Sequence, residues 1–136
     1  MTLVDTNILL DLVTDDPRWA RWSIEQLEAA ALRGSVLIND VVYAELSVRY
    51  ARVEDLDAFL DAAGLELAAM PREALFLAGK AYMRYRASGG TRSGVLPDFF
   101  IGAQAAVAEW PLLTRDVGRY RTYFPSLTLL TPAGPA

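Results

Sequence analysis

Leu3-Val4-Asp5-Thr6-Asn7-Ile8-Leu9-Leu10 is the stretch whose reading decides the fold. Two apolar residues run into an acid, a hydroxyl and an amide, and a mostly apolar segment over 8–13 follows. The pattern predicts a short buried strand turning directly into a helix, with polar residues at the junction that can cap it. The same punctuation recurs outward along the chain. Val36-Leu37-Ile38 reads as a second strand, after which Asn39 or Asp40 can cap a helix running through Glu45. Between these strands, Pro17 sits where a helix can start, and Trp19, Trp22, Ile24, Leu27, Ala31 and Leu32 recur at roughly helical spacing up to Gly34. A helix over 53–63 closes at Gly64, a weaker strand covers 65–70, and Pro71 opens a helix to about residue 85. Residues 98–109 predict a helix of small and apolar residues, followed by strands over 112–114 and 127–130. Strands alternate with helices throughout, which predicts right-handed βαβ units and a parallel sheet of about five strands covered on both faces.

The 136 residues suit one domain spanning 1–136, and 53 % hydrophobic against 22 % charged content is globular. No apolar run approaches the roughly 20 residues of a membrane span. The first residues carry no basic leader region and reach an acid at Asp5, so a cytoplasmic protein is expected. Cysteine and histidine are both absent, which removes disulfides, thiolate and imidazole ligands and the usual general base. Any metal must be held by oxygen. The net charge of −4 is unevenly distributed: residues 1–73 carry 14 acids and 6 bases, residues 74–136 carry 3 acids and 7 bases. No acid occurs over 74–97, where Lys80, Arg84, Arg86 and Arg92 interleave with Tyr82 and Tyr85. This segment is either a solvated helix face followed by the Gly- and Ser-rich loop over 88–94, or a surface for phosphates. On the second reading Arg84, Arg86, Arg92 and Arg115 are the candidate substrate contacts.

In an open parallel sheet, ligands gather beyond the carboxyl ends of the strands where the winding direction reverses. Asp5 follows the first strand and Asp116 the fourth, so a strand order of 3-2-1-4-5 places them side by side. Glu45 and Asp98 lie early in helices that begin at the same edge. Each acid has a plainer reading: Asp5 as a helix cap, Glu45 as a solvated helix residue, Asp98 as a first-turn acid and Asp116 as a turn former. Four separate caps need not converge, however, and four carboxylates in one cleft repel strongly without a counter-cation. Mg²⁺ or Mn²⁺, hard ions that take oxygen ligands, would offset that charge, acidify a water and stabilise charge on a phosphate and its leaving oxygen. Thr6, Asn7 and Thr114 are short polar residues placed to orient the ligands. Asp11, Asp15, Asp16 and Asp40 read as ordinary surface or capping acids.

With these residues in place the chain resembles the PIN domain, and most of all VapC, the toxin of type II toxin-antitoxin modules. Leu3-Val4-Asp5-Thr6-Asn7 is similar to the family's first motif, and Val41-Val42-Tyr43-Ala44-Glu45-Leu46 to its second. The third is matched by Pro97-Asp98-Phe99-Phe100-Ile101-Gly102-Ala103-Gln104-Ala105 and the fourth by Leu113-Thr114-Arg115-Asp116. The resemblance implies a three-layer α/β/α fold and Mg²⁺- or Mn²⁺-dependent endoribonuclease activity, with Asp5, Glu45, Asp98 and Asp116 as catalytic metal ligands supported by Thr114. It also implies a homodimer, an RNA substrate and inhibition by a VapB-like antitoxin. The chain departs from many members after the fourth motif, where Val117-Gly118-Arg119-Tyr120 stands in place of a further acid, leaving open whether one or two ions bind.

Other readings are weaker. A haloacid dehalogenase phosphatase needs an acid two residues after Asp5, where this chain has Asn7. A phospho-receiver domain needs an acid pair closer to the first strand than Asp15-Asp16 and a late lysine, whereas Lys80 is the only lysine. A standalone RNA-processing nuclease and a catalytically silent PIN-like scaffold share the fold, and the presence of all four acids argues against the scaffold.

Overall fold

The computed structural model describes residues 1–132. Five strands form one sheet: β1 (Thr2–Val4), β2 (Val36–Ile38), β3 (Leu65–Leu67), β4 (Leu112–Leu113) and β5 (Leu129–Leu130). Their order is β3-β2-β1-β4-β5 and every pair is parallel, as expected from the alternation of elements. Leu3 aligns with Leu37 on one side and Leu112 on the other, which fixes β1 as the central strand. Successive strand residues point to opposite faces, and both Leu3 and Val4 are fully buried, so helices cover the sheet on both sides. The result is an α/β sandwich of three layers.

Seven helices occur among the described residues: α1 (Thr6–Val13), α2 (Ala20–Arg33), α3 (Asp40–Ser47), α4 (Val53–Ala63), α5 (Arg72–Ala87), α6 (Pro97–Ala108) and α7 (Gly118–Tyr123). Asn39 caps α3 by accepting from the Val42 N–H at 3.0 Å, and Pro97 stands in the first turn of α6, where a missing N–H costs nothing. Gly64 closes α4 in the left-handed conformation, at φ 72°. The long α5 lies along α6 and buries Ala74, Ala78, Ala81 and Tyr85, mostly small side chains at helical spacing that let the two axes approach.

Two expectations are corrected. The helix after Pro17 begins only at Ala20, and its buried stripe is Ala20, Ser23, Leu27 and Ala30. Ile24 and Leu32 from the expected apolar face are exposed, because the buried polar Ser23 turns the helix by its bond to Asp11. Helix α7 is absent from the sequence reading: it is only six residues long, starts with glycine and includes Tyr120, Thr122 and Tyr123, which are indifferent to poor helix formers. Tertiary packing decides it. Tyr120 and Phe124 are buried against Gly102 of α6, where an added Cβ would lie 2.6 Å from the Phe124 ring.

Candidate active site

The carboxyl ends of β1 and β4 are adjacent, and this is where the winding of the sheet reverses. Asp5 stands at that point as the N-cap of α1, accepting from the Thr6 N–H at 2.7 Å. Its other oxygen, Oδ2, accepts from the Thr114 hydroxyl at 2.8 Å, the Tyr120 hydroxyl at 2.9 Å and the Asn7 amide at 3.4 Å. Asp5 is 6 % exposed. Burial pushes its pKa up to about 6, helped by the nearby charge of Asp98, against the lowering effect of the Thr114, Tyr120 and Thr6 donors. The same surroundings push the Tyr120 phenol far above its ordinary range, by burial first and then by Asp5, Asp98 and Asp116, so its hydroxyl remains a donor.

The other three acids arrive on three different elements. Asp98 occupies the first turn of α6, and its Oδ2 accepts from Arg119 at 2.9 Å. Asp116 is exposed in the turn after β4, where its Oδ1 accepts from the Gly118 N–H at 3.1 Å while its own N–H donates to Thr114 at 3.0 Å. Glu45 on α3 is joined to the group through Thr6, whose hydroxyl donates to its Oε1 at 2.7 Å. Thr6, Asn7 and Thr114, singled out as orienting residues, therefore each bond to one of the acids. Asn7 also spans the switch point, donating to Thr114 at 3.3 Å and accepting from the Arg115 N–H at 3.2 Å. Asp5, Asp98 and Asp116 come within electrostatic range of Tyr120, and Glu45 reaches them by way of Thr6.

Among the described residues, no three acids are gathered closely enough to form a finished cation cage. The donor set nevertheless fits a hard divalent ion: it is all oxygen, and Asp5 is a buried carboxylate surrounded by neutral donors with no cation of its own. A cation beside it would supply the charge that burial denies it.

Two side chains sit differently from expectation. Asp11, read as an ordinary surface or capping acid, is 2 % exposed. It takes both Nε and Nη2 of Arg115 at 2.8 Å and the Ser23 hydroxyl at 2.6 Å. Arg115, grouped with the phosphate contacts, is thus committed to Asp11 and stacked 4.9 Å above the Trp19 ring, because a planar guanidinium matches a carboxylate in two places. Asn7 and Asp11 are one helical turn apart on α1, a spacing that could have revealed their shared partner. Arg84 donates to the Tyr123 carbonyl at 2.8 Å and Arg86 to that of Arg92 at 3.2 Å, while Arg92 is exposed on the loop after α5. Sequence reasoning missed Arg119 and Tyr120. Both follow the fourth motif directly, in a helix too short to show a period.

No curated protein matches the sequence significantly. Solved structures with the same architecture include VapBC2 from Rickettsia felis bound to a promoter DNA fragment, 21 % identical over 96 % of this chain and 97 % of that one, with a TM-score of 0.72. A toxin-antitoxin complex from Klebsiella pneumoniae is 21 % identical over 99 % of this chain and 100 % of that one, TM-score 0.70. FitAcB from Neisseria gonorrhoeae is 16 % identical over 97 % and 98 %, TM-score 0.68. At these identities the likeness speaks for the fold. The family model of the PIN domain matches residues 2–125, almost the whole stretch that builds the sheet and its acidic edge, and the chain belongs to the PIN domain family.

Proposed function

We propose that this PIN domain is a Mg²⁺- or Mn²⁺-dependent endoribonuclease, the VapC-like toxin of a toxin-antitoxin module. The observation that carries the reading is the buried carboxylate of Asp5, held by Thr6, Thr114 and Tyr120 at the switch point with Asp98 close enough to raise its pKa. Asp5, Asp98, Asp116 and Glu45 would hold the cation. When bound, it would acidify water and offset charge on the scissile phosphate. The chain's own residues orient the acids: Thr114 and Tyr120 fix Asp5 Oδ2, Thr6 bridges Asp5 and Glu45, and Asn7 pins the turn after β4. With the acids set beforehand, little reorganisation is needed when charge develops. Arg84, Arg86 and Arg92, from the acid-free segment over 74–97, are the proposed phosphate contacts; each keeps further guanidinium donors that can turn outward.

The partners follow from the same reading. Toxin-antitoxin complexes among the structural neighbours support a VapB-like antitoxin. Exposed Leu75, Phe76 and Met83 of α5 and Val107 of α6 supply apolar surface of the kind that protein partners cover, which suits a homodimer as well. Among the described residues no helix is long and apolar enough to cross a membrane. The test is cleavage of RNA by the purified protein in Mn²⁺, Mg²⁺ or EDTA, beside Asp5→Asn and Asp98→Asn. Cutting that needs the metal and disappears in both variants is the expected result. Asp98→Asn should stay folded, since its ion pair with Arg119 is partly exposed and contributes less than about 1 kcal/mol. An Asp98→Asn protein that cuts as well as the parent would remove Asp98 from the site.

A further inference from the structure

Arg119 is the one basic residue that forms a salt bridge with any of the four acids, among the described residues. Its Nη1 donates to Asp98 Oδ2 at 2.9 Å, and its guanidinium carbon lies 5.6 Å from the centre of the Tyr85 ring. The neighbouring residue on α7, Tyr120, donates to Asp5, so one short helix delivers a neutral donor to the buried acid and a cation to the outer one. Arg119 and Asp116 also line an open cleft of about 670 Å³ with Tyr85, Ser88, Gly90, Thr122 and Tyr123. Apart from Arg119 and Asp116, that cleft is walled by hydroxyls, glycines and two tyrosine rings. Gly90 lies directly against the Tyr85 ring, where a Cβ would overlap it, so the loop over 88–94 can follow the cleft only with glycine there.

Two facts conflict within this arrangement. The charge of Asp98 is already paired with a guanidinium on Oδ2, and a divalent ion brought to the same carboxylate meets that positive charge at close range. A guanidinium released from Asp98 has a second suitable anion at hand, because the planar fork that fits a carboxylate also fits two phosphate oxygens. From this we infer that Arg119 competes with the catalytic cation for Asp98 and, once displaced, turns into the Tyr85–Tyr123 cleft to hold a phosphate of single-stranded RNA. Tyr123, partly exposed at the cleft, then offers its ring to an adjacent base. The device couples the two ligands: the cation frees Arg119 for the substrate, and the substrate keeps Arg119 away from the cation's ligand. Such coupling is reciprocal by thermodynamic necessity. The inference rests on the metal-dependent nuclease reading above.

The experiment measures Mn²⁺ binding by calorimetry with no RNA present, in the parent, Arg119→Gln and Arg119→Lys. Binding of a short single-stranded RNA by fluorescence anisotropy follows, in EDTA and in Ca²⁺. Removing a partly exposed competitor should tighten Mn²⁺ binding about two- to fivefold in Arg119→Gln, while Arg119→Lys, which keeps the charge, stays near the parent. RNA binding by Arg119→Gln should weaken in Ca²⁺ and match the parent in EDTA, where Arg119 remains on Asp98. The lysine variant, unable to fork, should lose RNA affinity without gaining Mn²⁺ affinity, and this keeps the test open if the glutamine variant folds poorly. Unchanged or weaker Mn²⁺ binding by Arg119→Gln, or an RNA defect equal in EDTA and Ca²⁺, overturns the coupling while leaving the nuclease reading intact. A parent protein that binds no Mn²⁺ overturns both.

Discussion

Asp5 makes a sharp prediction about stability and pH. Its pKa rises from 3.8 to about 6 on folding because the carboxylate is taken out of water at the edge of the sheet. Between these values the folded chain holds a proton that the unfolded chain has released, so stability falls as pH rises, the reverse of ordinary acid denaturation. A rise of that size corresponds to about 3 kcal/mol, present below pH 4 and lost once pH passes 6. Asp5 is only 6 % exposed, so solvent screening takes little from this figure. With an unfolding entropy of roughly 2 cal/mol/K per residue, the loss corresponds to about 10 °C in Tm for a chain of 136 residues. The assay is urea unfolding in EDTA from pH 4 to 7.5, for the parent and for Asp5→Asn, whose amide does not titrate. Other carboxylates contribute equally to both, so the difference isolates Asp5. The parent should lose about 2.4 kcal/mol relative to the variant across the window, since part of the effect is already gone at pH 4, and saturating Mn²⁺ should restore most of it by supplying the missing charge. A difference that stays flat, or that grows in the parent's favour with pH, would refute the account of Asp5 as a buried, unneutralised acid.

Three further outcomes follow from the packing and the basic surface. Gly102→Ala should destabilise the protein by about 1–3 kcal/mol, because the new methyl meets the Phe124 ring at 2.6 Å; an unchanged melting temperature would mean that α7 shifts freely. Asp11→Asn should cost about 3 kcal/mol by leaving the Arg115 guanidinium without its carboxylate, measured by denaturant titration, and a loss below about 1 kcal/mol would mark the pair as dispensable. Replacing Arg84, Arg86 and Arg92 with Gln should lower the salt dependence of RNA binding by about 0.7 in log–log slope for each arginine that neutralises a phosphate, and an unchanged slope would return them to the solvent.

The acidic edge works through unequal environments for similar groups. Asp5 is buried and bonded to neutral donors, Asp98 is half-buried with a guanidinium, and Asp116 is exposed in a turn. A cation entering such a set meets one carboxylate whose proton is held up to about pH 6 and another whose charge is already paired with an arginine. Affinity for metal should therefore weaken below pH 6 as Asp5 takes up its proton.

What could be read from the sequence was whatever depends on local pattern. Short apolar runs ending in turn or cap residues specify strands and the helices after them, and their alternation implies a parallel sheet, which is how Asp5, Asp98 and Asp116 could be assigned to one edge. The same patterns say nothing about polar side chains that meet across the fold. Asp11 and Arg115 are separated by about a hundred residues and pair only because β1 and β4 are neighbours, which turns an apparent surface acid into a buried one. Helix α7 lacks the propensity and length to announce itself, and forms because Tyr120 and Phe124 fill the space that Gly102 leaves. Through that packing alone, Tyr120 reaches Asp5 and Arg119 reaches Asp98, so the residues that set the charge balance of the site were decided by tertiary contacts between segments with no signal of their own.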